Sequence, residues 1–181
     1  MAGIIAVYGS ARPLSGDPMY EESVQVGKAL AAAGYTVMTG GYDGVMAGIS
    51  QGAHEAGGHV IGVTVRQLEL IGERIVNRWV KEEIKYETLR ERLYHLAFHP
   101  DGYVVMPGGV GTVQEVTEVW QMMRMRAVPL RPFVLYGAFW QPLLDMFVNS
   151  PYVSASEMTM VQQANTPQEM MHILGSWNGK A

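Results

Sequence analysis

Cysteine is absent from the 181 residues, which excludes disulfides, thiolate metal sites and a cysteine nucleophile. Charge is sparse at 17%, and its balance is acidic: 13 Lys and Arg against 17 Asp and Glu give a formal net charge of -4. No basic surplus exists to neutralise phosphates along a chain, so a nucleic-acid polymer is not the expected partner. No apolar run reaches the roughly 18 residues needed to span a bilayer, so no membrane segment is expected. The opening Met1-Ala2-Gly3-Ile4-Ile5-Ala6-Val7-Tyr8 lacks a basic n-region and a long apolar core. It reads as a first strand rather than a signal peptide, and a cytoplasmic location follows by default. The Walker A pattern and the Gly-x-Gly-x-x-Gly dinucleotide fingerprint are both missing, which disfavours an NAD enzyme. The histidines (54, 59, 95, 99 and 172) show no metal-ligand spacing. His95 and His99 are four apart, but no Glu-x-x-His frame accompanies them, so packing or surface roles are expected. Neither a metal nor a cofactor is expected.

What the chain does have is glycine, at 21 residues, placed where apolar runs end. The most informative segment is Pro107-Gly108-Gly109-Val110-Gly111-Thr112-Val113-Gln114-Glu115. It follows the strand-like Gly102–Met106 and leads into a helical pattern over Val113–Met125. A strand that breaks into glycines and resumes as a helix offers free backbone N–H groups at a positive helix N-terminus, which suits a phosphate. Glycines also let the phosphate approach where a Cβ would block it. Thr112 can add a hydroxyl. A carboxylate at Glu115 would repel a phosphate, so its presence makes sense if it acts on another part of the ligand.

Short β-branched runs alternate with helical patterns along the rest of the chain. Strands are expected at Ile4–Tyr8, Tyr35–Met38, His59–Val65, Tyr103–Met106 and Pro132–Tyr136, with a last one near Met158–Val161. Helices are expected at Tyr20–Ala33, Val45–Ala56, Glu82–Phe98, Val113–Met125 and Trp140–Val148. A final helix opens at Thr166-Pro167-Gln168-Glu169, an N-cap followed by proline. Residues 66–80 lack a clean period, although Leu68, Leu70, Ile71 and Ile75 can form a short helix or lid. Alternation of this kind implies one α/β domain: a Rossmann-like, doubly wound, mainly parallel sheet with helices on both faces. Ligands bind such sheets at the carboxyl ends of the strands. Three glycine segments fall there: Gly9-Ser10-Ala11-Arg12, Thr39-Gly40-Gly41-Tyr42-Asp43-Gly44 and the Pro107 segment.

Candidate chemistry must reach that crevice. Arg90 and Arg92 lie two apart, so at most one faces it; the alternative is a solvated helix face shared with Glu87 and Glu91. Glu115 can equally be a first-turn acid that the helix dipole stabilises. An arginine and a glutamate around an anion cradle suggest a phosphorylated ligand whose other end meets the carboxylate.

The pattern Pro-Gly-Gly-x-Gly-Thr-x-x-Glu at 107–115 resembles the signature of the LOG ("lonely guy") family. Its members, formerly mislabelled as lysine decarboxylases, are nucleoside 5′-monophosphate phosphoribohydrolases. The likeness extends to Val7-Tyr8-Gly9-Ser10, to Gly40-Gly41-x-x-Gly44-Val45-Met46 and to Gly57–Val63, and it covers roughly residues 4–148. It implies Arg92 and Glu115 as the catalytic pair. The family usually has Met-x-x-Arg-Lys around the arginine, whereas this chain has Leu89-Arg90-Glu91-Arg92-Leu93. The resemblance further implies hydrolysis of the N-glycosidic bond of AMP or a cytokinin riboside monophosphate. Gly108, Gly109, Val110, Gly111 and Thr112 would hold the 5′-phosphate, with Gly9 and Ser10 on the sugar or base side and Gly41 and Gly44 beside them. A non-catalytic nucleotide- or phosphate-binding carrier of the same fold is the alternative. A homodimer is implied as well, with Met122-Met123-Arg124-Met125-Arg126 as an apolar face, read either as core or as interface. Trp120, Trp140 and Trp177 are expected in core or interface. Glu69 or Glu73 can be imagined closing over a ligand.

Overall fold

The computed structural model describes residues 3–72 and 75–177. The elements in chain order are β1 Ile4–Tyr8, α1 Pro18–Ala32, β2 Thr36–Thr39, α2 Val45–Glu55, β3 Val60–Val65, α3 Arg66–Gly72, β4 Glu82–Tyr86 and α4 Leu89–Phe98. They continue with β5 Gly102–Val105, α5 Val110–Arg124, β6 Phe133–Tyr136, a 3-10 turn Ala138–Trp140, α6 Gln141–Val148, α7 Ala155–Met158, β7 Gln162–Ala164 and α8 Pro167–Ser176. The seven strands form one parallel sheet in the order β4-β3-β2-β1-β5-β6-β7. The chain winds outward from β1 in one direction, then returns to its other side through β5. The strand order therefore reverses between β1 and β5, and the crevice of a doubly wound fold opens there. This is a single α/β domain with helices on both faces, as expected.

Strand alternation feeds two cores. On β1, Ile5 and Val7 face one side with Val26, Leu30, Val45 and Ile49 of α1 and α2. Ala6 and Tyr8 face the other with Leu96 of α4 and Val116, Val119 and Trp120 of α5. The fully buried strands carry nearly continuous apolar residues because both faces are covered.

α1 and α2 pack unusually close. A Cβ on Gly27 would lie 2.2 Å from the Ile49 carbonyl oxygen, and one on Gly52 would lie 1.9 Å from that of Val24. Both obstacles are backbone, so neither can turn aside. Gly52→Ala is expected to push the helices apart and destabilise the fold by roughly 1–3 kcal/mol, the usual range for overpacking. Gly175→Ala on α8, where a Cβ meets nothing within 4 Å, is the control. It should be neutral or gain up to about 1 kcal/mol from helix propensity. Urea denaturation of the two variants checks both signs.

Three sequence expectations are corrected. The helix expected over Glu82–Phe98 is instead β4 and α4, separated at Glu87-Thr88. Glu82, Glu83, Ile84, Lys85 and Tyr86 form an edge strand paired only with β3, with Ile84 and Tyr86 packed against the core. An edge strand needs few apolar residues, so its polar composition imitates an amphipathic helix. The break is marked by a capping box, in which the Thr88 side chain accepts from the Glu91 backbone and Glu91 reaches back to Thr88. The last strand lies at Gln162–Ala164 rather than Met158–Val161, because Ser154 caps the short helix α7 through Glu157 and carries it into that stretch. Helix α5 also begins three residues earlier than its periodicity indicates, at Val110. The segment from residue 66 starts with α3, while Glu73 lies outside the described residues.

Candidate functional site

The carboxyl ends of β1 and β5 lie side by side. The Ser10 N–H donates to the Pro107 carbonyl at 3.1 Å, and the Ser10 carbonyl accepts from the Val45 N–H at 2.8 Å. The turn after β1 is thus fastened to both neighbouring turns. Gly9 allows this: a Cβ there would sit 2.5 Å from Val45 Cγ1 and 3.1 Å from Met106 Cβ. The Ser10 hydroxyl oxygen accepts from the Arg12 N–H at 3.1 Å, which leaves its own proton free to be donated.

Helix α5 starts at this seam. Gly109 is its N-cap and supplies no side-chain cap, so the first-turn N–H groups keep their donor capacity. The space in front of Gly109 and Gly111 is open: a Cβ on either would meet nothing within 4 Å. Gly108 differs, since a Cβ there would lie 2.1 Å from Thr112 Oγ1. Thr112 is buried and Val110 is exposed at the mouth. The result is an anion cradle with clear access from outside.

One cleft of about 390 Å³ runs from that cradle toward β2 and β3. Gly9, Ser10, Gly109, Val110, Gly111 and Thr112 line its near end, and Arg92 and Glu115 line it as well. Gly9 and Glu115 stand more than a hundred positions apart in the chain, and the sheet brings them together. Gly108 lines a second, adjoining cleft. Gly41 and Gly44 stand behind the wall and shape its turn: they have φ of +80° and +67°, and Gly44 ends the turn as the N-cap of α2. Thr39 and Asn77 hold this turn. The Gly41 N–H donates to Thr39 Oγ1 at 3.1 Å, and the Asn77 amide donates to the carbonyls of Gly41 and Tyr42 at 3.1 and 3.0 Å.

Of the two arginines, Arg90 is exposed and Arg92 is buried. Arg92 Nε donates to the Val63 carbonyl at 2.7 Å, and Nη2 donates to the Gly40 carbonyl at 3.2 Å. Its guanidinium also lies 5.7 Å from the centre of the Tyr42 ring. Tyr42 is itself fixed, donating to the Val65 carbonyl at 3.0 Å and accepting from the Val65 N–H at 2.8 Å. Gly40 is required here for space, because a Cβ would fall 2.0 Å from Arg92 Nη2. Arg92 is therefore held as a rigid cation at the ends of β2 and β3. Glu115 is partly buried, and desolvation pushes its carboxyl up to about 7 although the positive charge of Arg92 opposes that rise. A carboxyl near 7 is half ionised at neutral pH, the condition that suits proton transfer.

Arg12, Tyr42, Gly40 and Asn77 were not read from the sequence as site residues, and Leu68 only as part of a short helix or lid. Arg12 sits in a glycine turn that the sequence does flag, and Tyr42 lies between the glycines of the second turn. Leu68 reaches the cleft from α3. Glu69 points elsewhere, pairing with Lys85 at 3.0 Å. Trp120 and Trp140 are core residues, as expected. Of the methionine stretch, Met123 is buried while Met125 is 63% exposed. Among the described residues no group of three or more His, Asp or Glu is placed to hold a metal ion, and no helix is long and apolar enough to cross a membrane.

Residues 46–174 match the family model described as "Possible lysine decarboxylase". A cytokinin riboside 5′-monophosphate phosphoribohydrolase of Arabidopsis thaliana (LOG5) is 30% identical over 78% of this chain and 63% of its own length. The rice enzyme of the same description (LOG, Oryza sativa subsp. japonica) is 29% identical over 83% of this chain and 64% of its own. The chain thus spans a little under two thirds of these curated relatives. Among solved structures, the molybdenum cofactor binding protein of Rippkaea orientalis is similar in fold, with a TM-score of 0.77 at 23% identity over 97% of both chains. The molybdenum cofactor carrier protein of Chlamydomonas reinhardtii gives 0.72 at 23% over the same shares. The signature at 107–115, the extent of the family match and the relatives at this identity establish that the chain belongs to the LOG family of nucleoside monophosphate phosphoribohydrolases, formerly described as lysine-decarboxylase-like.

Proposed function

We propose that this protein hydrolyses the N-glycosidic bond of a nucleoside 5′-monophosphate, AMP or a cytokinin riboside 5′-monophosphate, to free base and ribose 5-phosphate. The observation that carries this reading is the Glu115 carboxyl, raised to about 7 and facing the same cleft as the α5 N-terminus. A site that only bound phosphate would gain nothing from an acid held there. The 5′-phosphate sits on the amides of Gly109, Val110 and Gly111, with Thr112 and Ser10 adding hydroxyls. Anchoring the phosphate fixes the ribose over Glu115 and lowers the entropic part of the barrier. Glu115 takes a proton from water as the oxygen bonds to C1′, and the C1′–N bond breaks through an oxocarbenium-like transition state. The base leaves with the bonding pair and acquires a proton, so one water is consumed for each base released. Arg92 keeps a fraction of Glu115 ionised and faces the charge that develops on the departing base.

The test is chromatography of AMP, other nucleoside monophosphates and isopentenyladenosine monophosphate after incubation with the protein. Free base with an equal amount of ribose 5-phosphate supports the hydrolase. Tight binding without base release would replace it with the second reading, a nucleotide or phosphate carrier. One observation favours that second reading: two Arg92 donors are already given to Val63 and Gly40.

A homodimer belongs to the same proposal. Leu89, Tyr94 and Phe98 on α4, Val113 on α5 and Met125 at the C-cap of α5 leave apolar surface exposed on two helices that pack side by side. Light scattering should give twice the 19.9 kDa chain mass; a single-chain mass would remove this part of the reading.

A further inference from the structure

A second cleft of about 470 Å³ adjoins the one that holds Arg92 and Glu115, and Ser10, Arg12, Gly109 and Val110 line both. The wall between them is the first turn of α5. A Cβ on Gly109 would meet nothing within 4 Å, and Gly109 and Val110 line both clefts, so this turn borders the two of them. Arg12 stands where the two clefts meet. Its side chain is exposed and makes no hydrogen bond or ion pair with the described residues, so its charge is available to an anion between them. The second cleft otherwise differs from the first. Its remaining lining includes Pro13, Met19, Pro107 and Phe139, with no acidic group and no cation besides Arg12. Phe139 is 55% exposed, and its ring stands perpendicular to that of Trp140 with ring centres 5.0 Å apart.

We infer that this second cleft binds an uncharged, ring-bearing group joined to the far side of the same phosphate. The ligand class then includes dinucleotides linked through a 5′-pyrophosphate. This rests on the reading of the first cleft as a nucleotide site. A nucleoside monophosphate fills only the first cleft and leaves the second empty. A polyphosphate tail would enter a largely apolar space with one arginine to offset its charge, which disfavours it. A second nucleoside brings a flat ring to Phe139, while its pyrophosphate stays between Arg12 and the α5 amides.

Calorimetric titration with AMP, ADP and diadenosine 5′,5′-diphosphate tests this, in the Glu115→Gln protein so that turnover does not consume the ligand. The dinucleotide is expected to bind about tenfold tighter than ADP, the gain that base stacking on an aromatic ring supplies. Phe139→Ala, a change at an exposed ring, should abolish that preference and leave AMP affinity unaltered. Equal affinity for ADP and the dinucleotide, with AMP still bound, overturns this inference alone. A Phe139→Ala loss that is the same for AMP overturns it too. Failure of every nucleotide to bind overturns the nucleotide reading and this inference with it.

Discussion

Glu115→Gln should reduce base release by about 10²–10⁴-fold, the range for loss of a positioned acid or base, with nucleotide affinity nearly unchanged. Glutamine keeps the size and polarity of the side chain but cannot take a proton. In the unaltered protein, kcat/KM should rise with pH through an apparent pKa near 7, because the ionised carboxylate is the active form and burial holds its pKa there. The variant should lose that limb. Turnover that persists in the variant, or a profile flat from pH 5 to 8, would remove Glu115 from the mechanism.

Stability should move the opposite way to activity. The Glu115 carboxyl titrates at about 7 in the fold and near 4.5 when unfolded, so the native state binds its proton more strongly. Native stability therefore falls as pH rises between those values, and the loss is complete above 7. Glutamine carries no such loss. Glu115→Gln should nearly match the parent near pH 4.5 and exceed it at pH 8 by on the order of 3 kcal/mol. Denaturant midpoints at the two pH values measure the difference. A midpoint lowered by the substitution at pH 8 would mean that the carboxylate is stabilised in place rather than strained.

Arg92→Met is the second large effect. The substitution leaves the buried carbonyls of Val63 and Gly40 without their side-chain donors, at a cost of roughly 1–3 kcal/mol each. It also removes the charge that opposes the Glu115 shift, so the apparent pKa of the carboxyl should climb further above its present value. Activity should fall by about 10²-fold or more, and the remaining pH profile should shift to higher pH. Arg92→Lys keeps the charge and loses the planar fork, so it should restore the pH profile more fully than the rate. That split separates an electrostatic role from a purely structural one. If Arg92→Met lowers stability but leaves kcat and its pH dependence intact, the arginine is a brace and not a participant.

The sequence by itself determined the alternation of strands and helices, the parallel sheet and the glycine turns. Each of these is written in local chemistry: β-branched runs, helical spacing, N-caps such as Thr166-Pro167, and glycines where a backbone must come close. The 107–115 signature pointed to Glu115 because strand, turn and helix start are contiguous there. Local chemistry misled over Glu82–Phe98, where a polar edge strand has no apolar stripe to declare it and only the Thr88–Glu91 capping box marks the join. The family resemblance already pointed to Arg92, but periodicity left the two arginines equivalent and only tertiary structure gives the physical distinction. Arg90 and Arg92 are alike in sequence, and only the approach of α4 to the ends of β2 and β3 buries the second, against a glycine that has no side chain to obstruct it. The raised carboxyl of Glu115 and the placement of Arg12 between two clefts have the same origin. Desolvation and charge proximity depend on distance in space, and the switch in strand order between β1 and β5 sets those distances between residues far apart in the chain.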